Sequence, residues 1–328
     1  MTENSSTAPI GDGQDGGRLR VVMPVHNAAT YVREAITSVL DDLPAGGELV
    51  IVDDGSTDGS GEIARAYALR DARVTVIRHD SPVGVSRALN AGIKHAGCPD
   101  FVAVAAHDDV VVRGGFSAHV DALRADAGLG AVSGEGRYLG PSGRVAGRVA
   151  VGPSSRREFE ELREAGREIL IPQPAITYRR DAVVDSGLYD AAVDAAQDLE
   201  LVNRMVYEHG WEVRLLPGPH VLYRIHGSSM SFSHIEGQRM MTRYIVYRNA
   251  AQLAGEPFTD YQQWRRDNVP DRRTRWRWYR KDTGALKFRQ AGLAWLNRRP
   301  FALVGNLAAA SVLHPKWVLM KLRVARGR

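Results

Sequence analysis

Four short apolar runs near the start of the chain constrain its fold more than any other feature of the sequence. They occupy residues 19–25, 49–52, 74–77 and 101–106. Runs of this length are typical of buried strands, and the helical spacing of apolar residues between them predicts helices at residues 28–42, 62–70 and 85–93. Strands that alternate with helices indicate an α/β fold, with a mostly parallel central sheet flanked by helices and joined by right-handed crossovers.

Polar pairs follow three of the four runs, at the point where each strand would end. The pairs are His26-Asn27, Asp53-Asp54 and Asp108-Asp109. In a parallel sheet the carboxyl ends of the strands lie along one edge, where open α/β folds bind ligands, so we expect the pairs to converge. Two adjacent carboxylates repel each other and lose hydration unless a cation joins them, which favours a divalent ion bound with phosphate groups at Asp108-Asp109. Taken singly, each aspartate pair is also consistent with a solvated loop or a helix cap.

The rest of the chain is predicted to contain helices, one hairpin and two later strands. The helices cover residues 116–125, 156–167, 181–186 and 197–209, and the chain is helical again from residue 233. The hairpin strands cover 131–139 and 144–151, and the later strands cover 212–216 and 220–225. Pro172 and Pro174 stop any helix, so residues 169–178 are predicted to be irregular.

Two further groups are candidates for chemistry. Asp198 stands at the start of the predicted helix 197–209, where it suits either an N-cap or a general base held on a rigid element. Arg224 and His226 alternate along a predicted strand and therefore point to one face, where they are suited to phosphate oxygens or a metal. Basic residues are also common at exposed strand ends, so spacing alone leaves both interpretations open.

The charge is divided unevenly along the chain. Residues 235–328 contain 20 Lys and Arg and 6 Asp and Glu, a net charge of +14, whereas the residues before them carry 23 basic and 32 acidic side chains, a net charge of −9. The basic region, which also contains scattered tryptophans, is predicted to dock on an anionic membrane surface. The alternative is a helical bundle that packs on the rest of the chain or forms a homo-oligomer. Nucleic acid is not an expected partner, because the body is acidic and no recognition motif is present.

The cysteine content and the hydropathy of the chain indicate the compartment in which the protein works. The single cysteine, Cys98, excludes an internal disulfide framework and suits a reducing, cytoplasmic compartment. Residues 1–17 are rich in Gly, Ser, Thr and Asp and are predicted to form a disordered tail. No window has the roughly 18 uninterrupted apolar residues that a membrane span needs, so we expect a cytoplasmic protein, at most peripheral on the inner face of the cell membrane.

Together, several segments between residues 19 and 231 resemble family 2 glycosyltransferases with the GT-A fold. These segments are Val22-Met23-Pro24-Val25-His26-Asn27, Val52-Asp53-Asp54-Gly55-Ser56-Thr57-Asp58-Gly59-Ser60, Gly84-Val85-Ser86-Arg87-Ala88-Leu89-Asn90, Ala106-His107-Asp108-Asp109, Gln197-Asp198-Leu199-Glu200-Leu201 and Tyr223-Arg224-Ile225-His226. The fourth occupies the position of the family's DxD-type metal motif. The resemblance implies a GT-A domain over 18–232, divided into a nucleotide-binding half (18–110) and an acceptor-binding half (111–232), followed by a basic helical region (233–328).

The resemblance also implies an activity, which is the inverting transfer of a sugar from a nucleotide-diphosphate sugar to a hydroxyl group. A UDP-sugar is the expected donor, and a cell-envelope, polysaccharide or lipid-linked glycan is the expected acceptor. Asp198 would be the catalytic base, and Asp109 and His226 would bind Mn²⁺ or Mg²⁺. The residues implied for nucleotide-sugar binding are Pro24, His26, Asn27, Asp53, Asp54, Arg87, Asp108 and Arg224.

Two departures from the family pattern keep an alternative open. Ala106 and His107 stand where acidic residues are common before the terminal aspartate pair, and Gln197 stands where Glu usually precedes the base. These substitutions favour, as the alternative, a nucleotide-sugar-binding protein without turnover.

Overall fold

A nine-stranded sheet forms the centre of the described part of the protein. The computed structural model describes residues 18–141, 143–193, 195–226 and 235–326. The predicted tail 1–17 and the predicted domain boundary at 232–233 lie outside these residues. The strands are β1 (Leu19–Val25), β2 (Glu48–Asp54), β3 (Val74–His79), β4 (Phe101–Val104), β5 (Val110–Val111), β6 (Leu129–Leu139), β7 (Val145–Val149), β8 (Thr177–Arg179) and β9 (Glu212–Arg224).

Helices cover the sheet and continue beyond it. Those of the sheet-forming part are α1 (Val32–Asp42), α2 (Ser60–Ala68), α3 (Val85–Lys94), α4 (Gly115–Ala125), α5 (Arg156–Glu164), α6 (Arg180–Asp185) and α7 (Gln197–Tyr207). Those of the C-terminal region are α8 (Ile235–Ala254), α9 (Tyr261–Asp267), α10 (Arg272–Leu296), α11 (Pro300–Leu313) and α12 (Pro315–Arg326).

The strand order is β3-β2-β1-β4-β8-β6-β9-β5, and β7 pairs with the outer part of β6. β1 to β4 are mutually parallel, as the alternation of strands and helices predicts, and β8 enters antiparallel to both β4 and β6. β6 and β9 are again parallel. The carboxyl ends of β1, β2 and β4 therefore share one edge of the sheet, because neighbouring parallel strands point the same way.

Two hydrophobic clusters sandwich the sheet, because successive side chains of a strand point to opposite faces. On β1, Val21 and Met23 belong to one cluster, which also includes residues of α1 and α4. Val22, between them, belongs to the other, with residues of α3, α6 and α7. Burial on both faces explains why the strands read as continuous apolar runs rather than as alternating patterns.

The structure departs from the sequence-based prediction at three strands. The two strands predicted at 212–216 and 220–225 form the single strand β9, whose pairing with β6 shifts register next to Gly134 and Glu135. The predicted irregular stretch 169–178 ends in the short strand β8, and β5 was missed. These short strands are held by their neighbours in the sheet, which a local pattern does not encode.

The C-terminal region packs on the sheet-forming part through α8 and α10. Arg248 of α8 is buried and donates to Glu200 of α7, with Nη1 to Oε1 at 2.7 Å. On α10, Trp295 lies under the guanidinium of Arg144, 4.1 Å from Cζ to the ring centroid. Packing against the rest of the chain, one of the two arrangements predicted for residues 235–328, is therefore present. Within the described residues, no helix is both long and apolar enough to cross a membrane.

Candidate active site

The aspartate pair that ends β2 is fully engaged in building the loop that follows it. Asp53 is completely buried. Its carboxylate accepts hydrogen bonds from Arg78 Nη1 at 2.7 Å and from the Ser56 backbone N–H at 3.0 Å. Asp54 accepts from the backbone N–H groups of Val83 (2.8 Å) and Gly84 (2.9 Å). The Asp53 carboxylate therefore holds the β2 turn, and the Asp54 carboxylate fixes the start of α3.

A histidine completes the surroundings of Asp54. His79 Nδ1 lies 2.9 Å from Asp54 Oδ1. Burial opposes ionisation of Asp54, but the hydrogen bonds from Val83, His79 and Gly84 outweigh it and lower the pKa of this carboxyl. Asp54 is thus an ionised carboxylate at neutral pH, held at the end of β2.

The polar pair after β1 closes over the same turn. His26 Nδ1 lies 2.7 Å from the Asp54 carbonyl oxygen, and the Asn27 backbone N–H donates to Ser56 Oγ at 3.1 Å. Both side chains are exposed, and Pro24 is half-buried next to them. Asn27 has a positive φ of 50°, a conformation that Asn tolerates better than most residues. The first two predicted polar pairs therefore do come together.

Arg87 lies one turn into α3 and is exposed. Its Nη1 donates to the Val83 carbonyl at 3.1 Å, so the guanidinium folds back over the loop that Asp54 fixes. The cationic side chain thus lies against the loop between β3 and α3, which Asp54 also contacts.

The second aspartate pair, after β4, lies in a different environment. Asp109 is buried; its Oδ1 accepts from the Arg224 backbone N–H at 2.7 Å, whereas its Oδ2 is buried and has no hydrogen-bond partner among the described residues. Burial, and then repulsion from Asp108, raise the pKa of Asp109 well above its usual value. A carboxylate oxygen buried without a partner is costly, so this atom suits a positive ligand.

Asp108 is paired with His226. Its Oδ2 lies 2.9 Å from His226 Nε2. Burial opposes its ionisation, but the hydrogen bond from His226 and the fields of His107 and His226 lower the pKa of Asp108. His107 Nδ1 in turn lies 3.1 Å from the Pro24 carbonyl oxygen, which joins this turn to the end of β1. The third predicted polar pair therefore lies beside the first.

Arg224 holds the second pair in position. Besides its backbone contact with Asp109, its Nε donates to the Asp108 carbonyl at 2.7 Å, and its Nη2 donates to Glu34 Oε2 at 2.7 Å. Its guanidinium carbon lies 5.0 Å from the ring centroid of Tyr31, and the same ring is 4.9 Å from that of His226. Arg224 and His226, which were predicted to point to one face, therefore both contact the turn formed by Asp108 and Asp109, called the metal-motif turn below because of its position in the sequence resemblance.

Asp198 lies at the second position of α7. Ala196, just before the helix, has a left-handed φ of 58°. The Asp198 side chain is half-buried, and burial raises the pKa of Asp198 despite hydrogen bonds from the N–H of Leu199 and from its own N–H. Its charge in turn contributes to the raised pKa values of the buried Tyr178 and Tyr189, whose hydroxyl oxygens are 3.0 Å apart. Asp198 is therefore a carboxyl of increased basicity next to a tyrosine pair.

Hydrogen bonds link the tyrosine pair near Asp198 to α3 and β4. Asn90 of α3 exchanges two hydrogen bonds with the backbone of Tyr189, at 2.8 and 3.0 Å. Gln173 Nε2 donates to the Tyr189 hydroxyl at 3.4 Å. Two residues later, the Ala175 N–H donates to the Val104 carbonyl at the end of β4. These bonds connect Tyr189, whose pKa the charge of Asp198 influences, to α3 and to the end of β4, the strand that leads to Asp108-Asp109.

The metal-motif turn suits a divalent cation whose other ligands would be phosphate oxygens of the substrate. Asp109 and His226 carry a carboxylate and an imidazole of the kinds that bind Mn²⁺, and the unpartnered Asp109 Oδ2 is the atom that a cation would satisfy. The described residues contain no group of three or more His, Cys, Asp or Glu side chains arranged for a metal. Mg²⁺ in particular is commonly held by one or two carboxylates together with phosphate oxygens, which matches this small donor set.

Sequence reasoning missed Arg78 and His79, which end β3. In the β2–β3 register Asp53 pairs with Arg78 and Asp54 pairs with His79. The signal was available, since the rule that polar residues follow strands applies to the third run as well as to the others. Glu34 was also missed, and no local pattern identifies its ion pair with Arg224 across 190 residues.

Comparison with solved structures agrees with this architecture. A mannosyltransferase from Pyrobaculum calidifontis, PcManGT, solved with GDP-Man and Mn²⁺, superposes with a TM-score of 0.53 at 17% identity, covering 94% of this chain and 80% of that one. S. aureus TarS 1–349, solved with UDP, gives a TM-score of 0.52 at 14% identity, covering 90% and 91%. These likenesses confirm the predicted GT-A fold.

Sequence relatives match over shorter segments. Glycosyltransferase GlyG of Streptococcus pneumoniae is 36% identical over 93 residues, which is 28% of this chain and 31% of that protein. The uncharacterized glycosyltransferase EpsJ of Bacillus subtilis is 43% identical over 76 residues, 23% of this chain and 22% of that protein. The chain thus matches less than a third of the length of these relatives. The family model described as glycosyl transferase family 2 matches residues 20–188, just over half of the chain. The protein that builds this strand-edge site is therefore a member of glycosyltransferase family 2.

Proposed function

We propose that the protein is an inverting glycosyltransferase that moves one sugar from a nucleotide-diphosphate sugar to an acceptor hydroxyl. The proposal rests on two carboxyl groups, Asp109 and Asp198, that differ in their surroundings. Asp109 has a buried oxygen without a partner among the described residues, and Asp198 has a raised pKa. The first suits a cation and the second suits a base, and this reaction uses both.

The donor would lie along the edge formed by the ends of β1, β2 and β4. We assign base recognition to Pro24, His26 and Asn27, whose side chains are accessible at this edge. Arg87 provides a cation near the diphosphate, and Asp108 provides an oxygen for the ribose. A UDP-sugar is the proposed donor, in keeping with the ionised Asp54 carboxylate, which is suited to the imide N–H of uracil.

Asp53 and Arg224 contribute through other residues. The hydrogen bonds from Arg78 and Ser56 direct the Asp53 carboxylate into the β2 turn, so Asp53 shapes the donor pocket by holding that turn. Arg224 holds the Asp109 carboxylate and the Asp108 carbonyl, so we assign it the orientation of the metal-motif turn. Both are positioning residues.

The metal-motif turn would hold Mn²⁺ or Mg²⁺ through Asp109 and His226. When bound, such an ion offsets the negative charge of the departing diphosphate. On the protein side, the Arg224 backbone N–H holds Asp109, and His226, whose Nε2 lies 2.9 Å from Asp108 Oδ2, would supply the imidazole donor.

Asp198 would remove the proton from the acceptor hydroxyl. A general base is most effective when its pKa approaches the operating pH, and burial raises the pKa of Asp198 in that direction. The Gln173–Tyr189 hydrogen bond and the Tyr178–Tyr189 contact keep the wall beside it rigid. Proton removal on one face of the sugar and departure of the diphosphate from the other would invert the anomeric configuration.

The proposed acceptor is a cell-envelope, polysaccharide or lipid-linked glycan. One relative is described as a putative teichuronic acid biosynthesis glycosyltransferase, from Bacillus subtilis, with 36% identity over 76 residues. The net charge of +14 over residues 235–328 supports a peripheral location on the inner face of the cell membrane, where lipid-linked acceptors are accessible.

Donor hydrolysis tests the proposal. The full chain is first screened with Mn²⁺ against nucleotide sugars by thermal shift, and release of nucleotide diphosphate is then measured for the donor that stabilises it. Asp198→Asn is expected to lower turnover by about 10²–10⁴-fold while keeping the thermal shift. Asp185→Asn, at an exposed carboxyl of α6, is the matched control and is expected to retain activity. Equal and negligible release from wild type and Asp198→Asn, with donor binding intact and candidate acceptors present, would instead identify a nucleotide-sugar-binding protein without turnover.

A further inference from the structure

Helix α11 presents an exposed face without a single charge. Phe301 is 93% exposed, Val304 67% and Val312 76%. These residues follow a spacing of three, four and four residues through the exposed Ala308, which places them on one side of the helix. Ala310, on the other side, is completely buried. The helix thus buries one side within the protein and turns a second apolar side outward.

Helix α12 adds further exposed apolar side chains. Leu319 is 57% exposed and Met320 49%, whereas the neighbouring Val318 is buried. Trp317 anchors the helix by packing edge-on against Phe288 of α10, with ring centroids 5.2 Å apart. The exposed apolar residues of α12 therefore project from a helix that is packed against α10.

The charges in the sequence of these two helices and their flanks are of one sign. Residues 283–328 contain nine Lys and Arg and no Asp or Glu. Arg298 and Arg299 directly precede α11 and are exposed, and so are Lys316 and Lys321 of α12. An apolar face bordered by cations is complementary to an anionic lipid surface. The apolar side chains contact the acyl chains, and the cations bind the headgroups.

The length of α11 decides how it would meet a membrane. Its 14 residues span roughly 21 Å at 1.5 Å per residue, short of the roughly 30 Å hydrocarbon core. The helix would therefore lie in the plane of the interface. By contrast, α8 and α9 are already engaged with the sheet-forming part or with each other, through Arg248 and the cluster around Tyr244 and Trp264.

We propose that α11 and α12, and not the whole basic region, form a membrane-docking surface that inserts Phe301, Val304 and Val312 into the interface of an anionic bilayer. Arg298, Arg299, Lys316 and Lys321 contact the lipid headgroups. This docking does not depend on the proposed catalysis, so it can fail or succeed independently of donor turnover.

Vesicle flotation of the full chain at physiological salt tests the surface. We expect the protein to float with vesicles of 30% phosphatidylglycerol in phosphatidylcholine and to remain unbound with phosphatidylcholine alone. The double variant F301S/V304S should lower the partition coefficient at least tenfold, because its side chains no longer enter the acyl region. Both positions are exposed, so its thermal midpoint should match that of wild type. Leu69→Ser is the matched control, since Leu69 is 89% exposed on the sheet-forming part, and it should bind normally.

Charge and self-association provide the second arm. R298E/R299E should lose the preference for anionic vesicles, whereas R156E/R157E, on the exposed face of α5, should keep it. Absence of wild-type flotation, equal binding to neutral and anionic vesicles, or normal binding by F301S/V304S would each overturn the proposal. A wild-type dimer in light scattering that F301S/V304S converts to a monomer, without vesicle binding, would show instead that a second copy covers the face.

Discussion

Two aspartate pairs stand at strand ends on either side of β1, with the same sequence signal and opposite surroundings. At the end of β2, both carboxylates accept hydrogen bonds from side chains and backbone, and the pKa of Asp54 is lowered. After β4, Asp109 retains a buried oxygen with no partner in the described chain, and its pKa is raised. The carboxylates of the first pair all have hydrogen-bond partners, whereas the second pair keeps one buried oxygen without a hydrogen-bond partner among the described residues.

The difference shows that acidic residues at a strand end identify a site only after their partners are counted. Asp53 receives Arg78 from the adjacent strand, which neutralises a completely buried charge. Asp109 receives only a backbone N–H from Arg224, whose guanidinium is directed to Asp108 and Glu34. Substitutions that keep the shape of each side chain and change its charge test this difference between the two pairs.

The largest effect is expected for Asp109→Asn. If this carboxylate holds a cation, removing its charge costs several kcal/mol of transition-state stabilisation, a loss of about 10²–10³-fold in donor turnover. The thermal midpoint in metal-free buffer should not fall, because the amide can still accept from the Arg224 N–H and Oδ2 has no described bond to lose. Full metal-dependent activity in this variant would mean that the two pairs do not differ in the way described.

A smaller effect, on stability rather than catalysis, is expected for Asp53→Asn. Removing the buried charge leaves Arg78 without its partner and should lower the free energy of unfolding by about 1–3 kcal/mol, measured by urea titration. The lower end is expected, since 41% of the Arg78 side chain is exposed.

The surface pair Asp71 and Arg73 provides the matched control for Asp53→Asn. Asp71→Asn removes a similar contact between side chains that are 26% and 45% exposed, and should change the unfolding free energy by less than about 1 kcal/mol. Equal effects at the two positions would argue that burial does not set the Asp53 contribution.

The smallest effect is a change in the pH dependence of stability for Asp54→Asn. Because the folded pKa of Asp54 is lowered, its ionised form contributes stability that is present above the unfolded pKa of about 3.9 and is lost as the pH falls through the folded pKa. The variant should be less stable than wild type at pH 7, and the difference should shrink below about pH 4. Denaturant titrations at pH 7, 5 and 3.5 measure it; a constant difference would contradict the assignment.

Much of the parallel half of the sheet could be predicted, because its strands are local patterns buried on both faces. The hairpin of β6 and β7 was predicted correctly from a different local signal, the turn-forming sequence Gly140-Pro141-Ser142-Gly143 between the two segments. The short strands β5 and β8 could not be predicted. Val110 and Val111 form β5 only because β9 lies beside them, and β8 is a strand only because it lies between β4 and β6.

Within the site, the sequence by itself determined which carboxyls, imidazoles and guanidinium groups stand at strand ends, because strand alternation and parallel pairing follow from local hydrophobicity. It also determined the charge of the C-terminal region. Only the tertiary structure decided that Asp53 meets Arg78, that Asp198 lies beside Tyr178 and Tyr189, and that Asp109 keeps an unpartnered oxygen. The physical reason is that burial and hydrogen bonding set the ionisation of a carboxyl, and here they come from residues as far apart as Asp109 and Arg224, 115 positions along the chain.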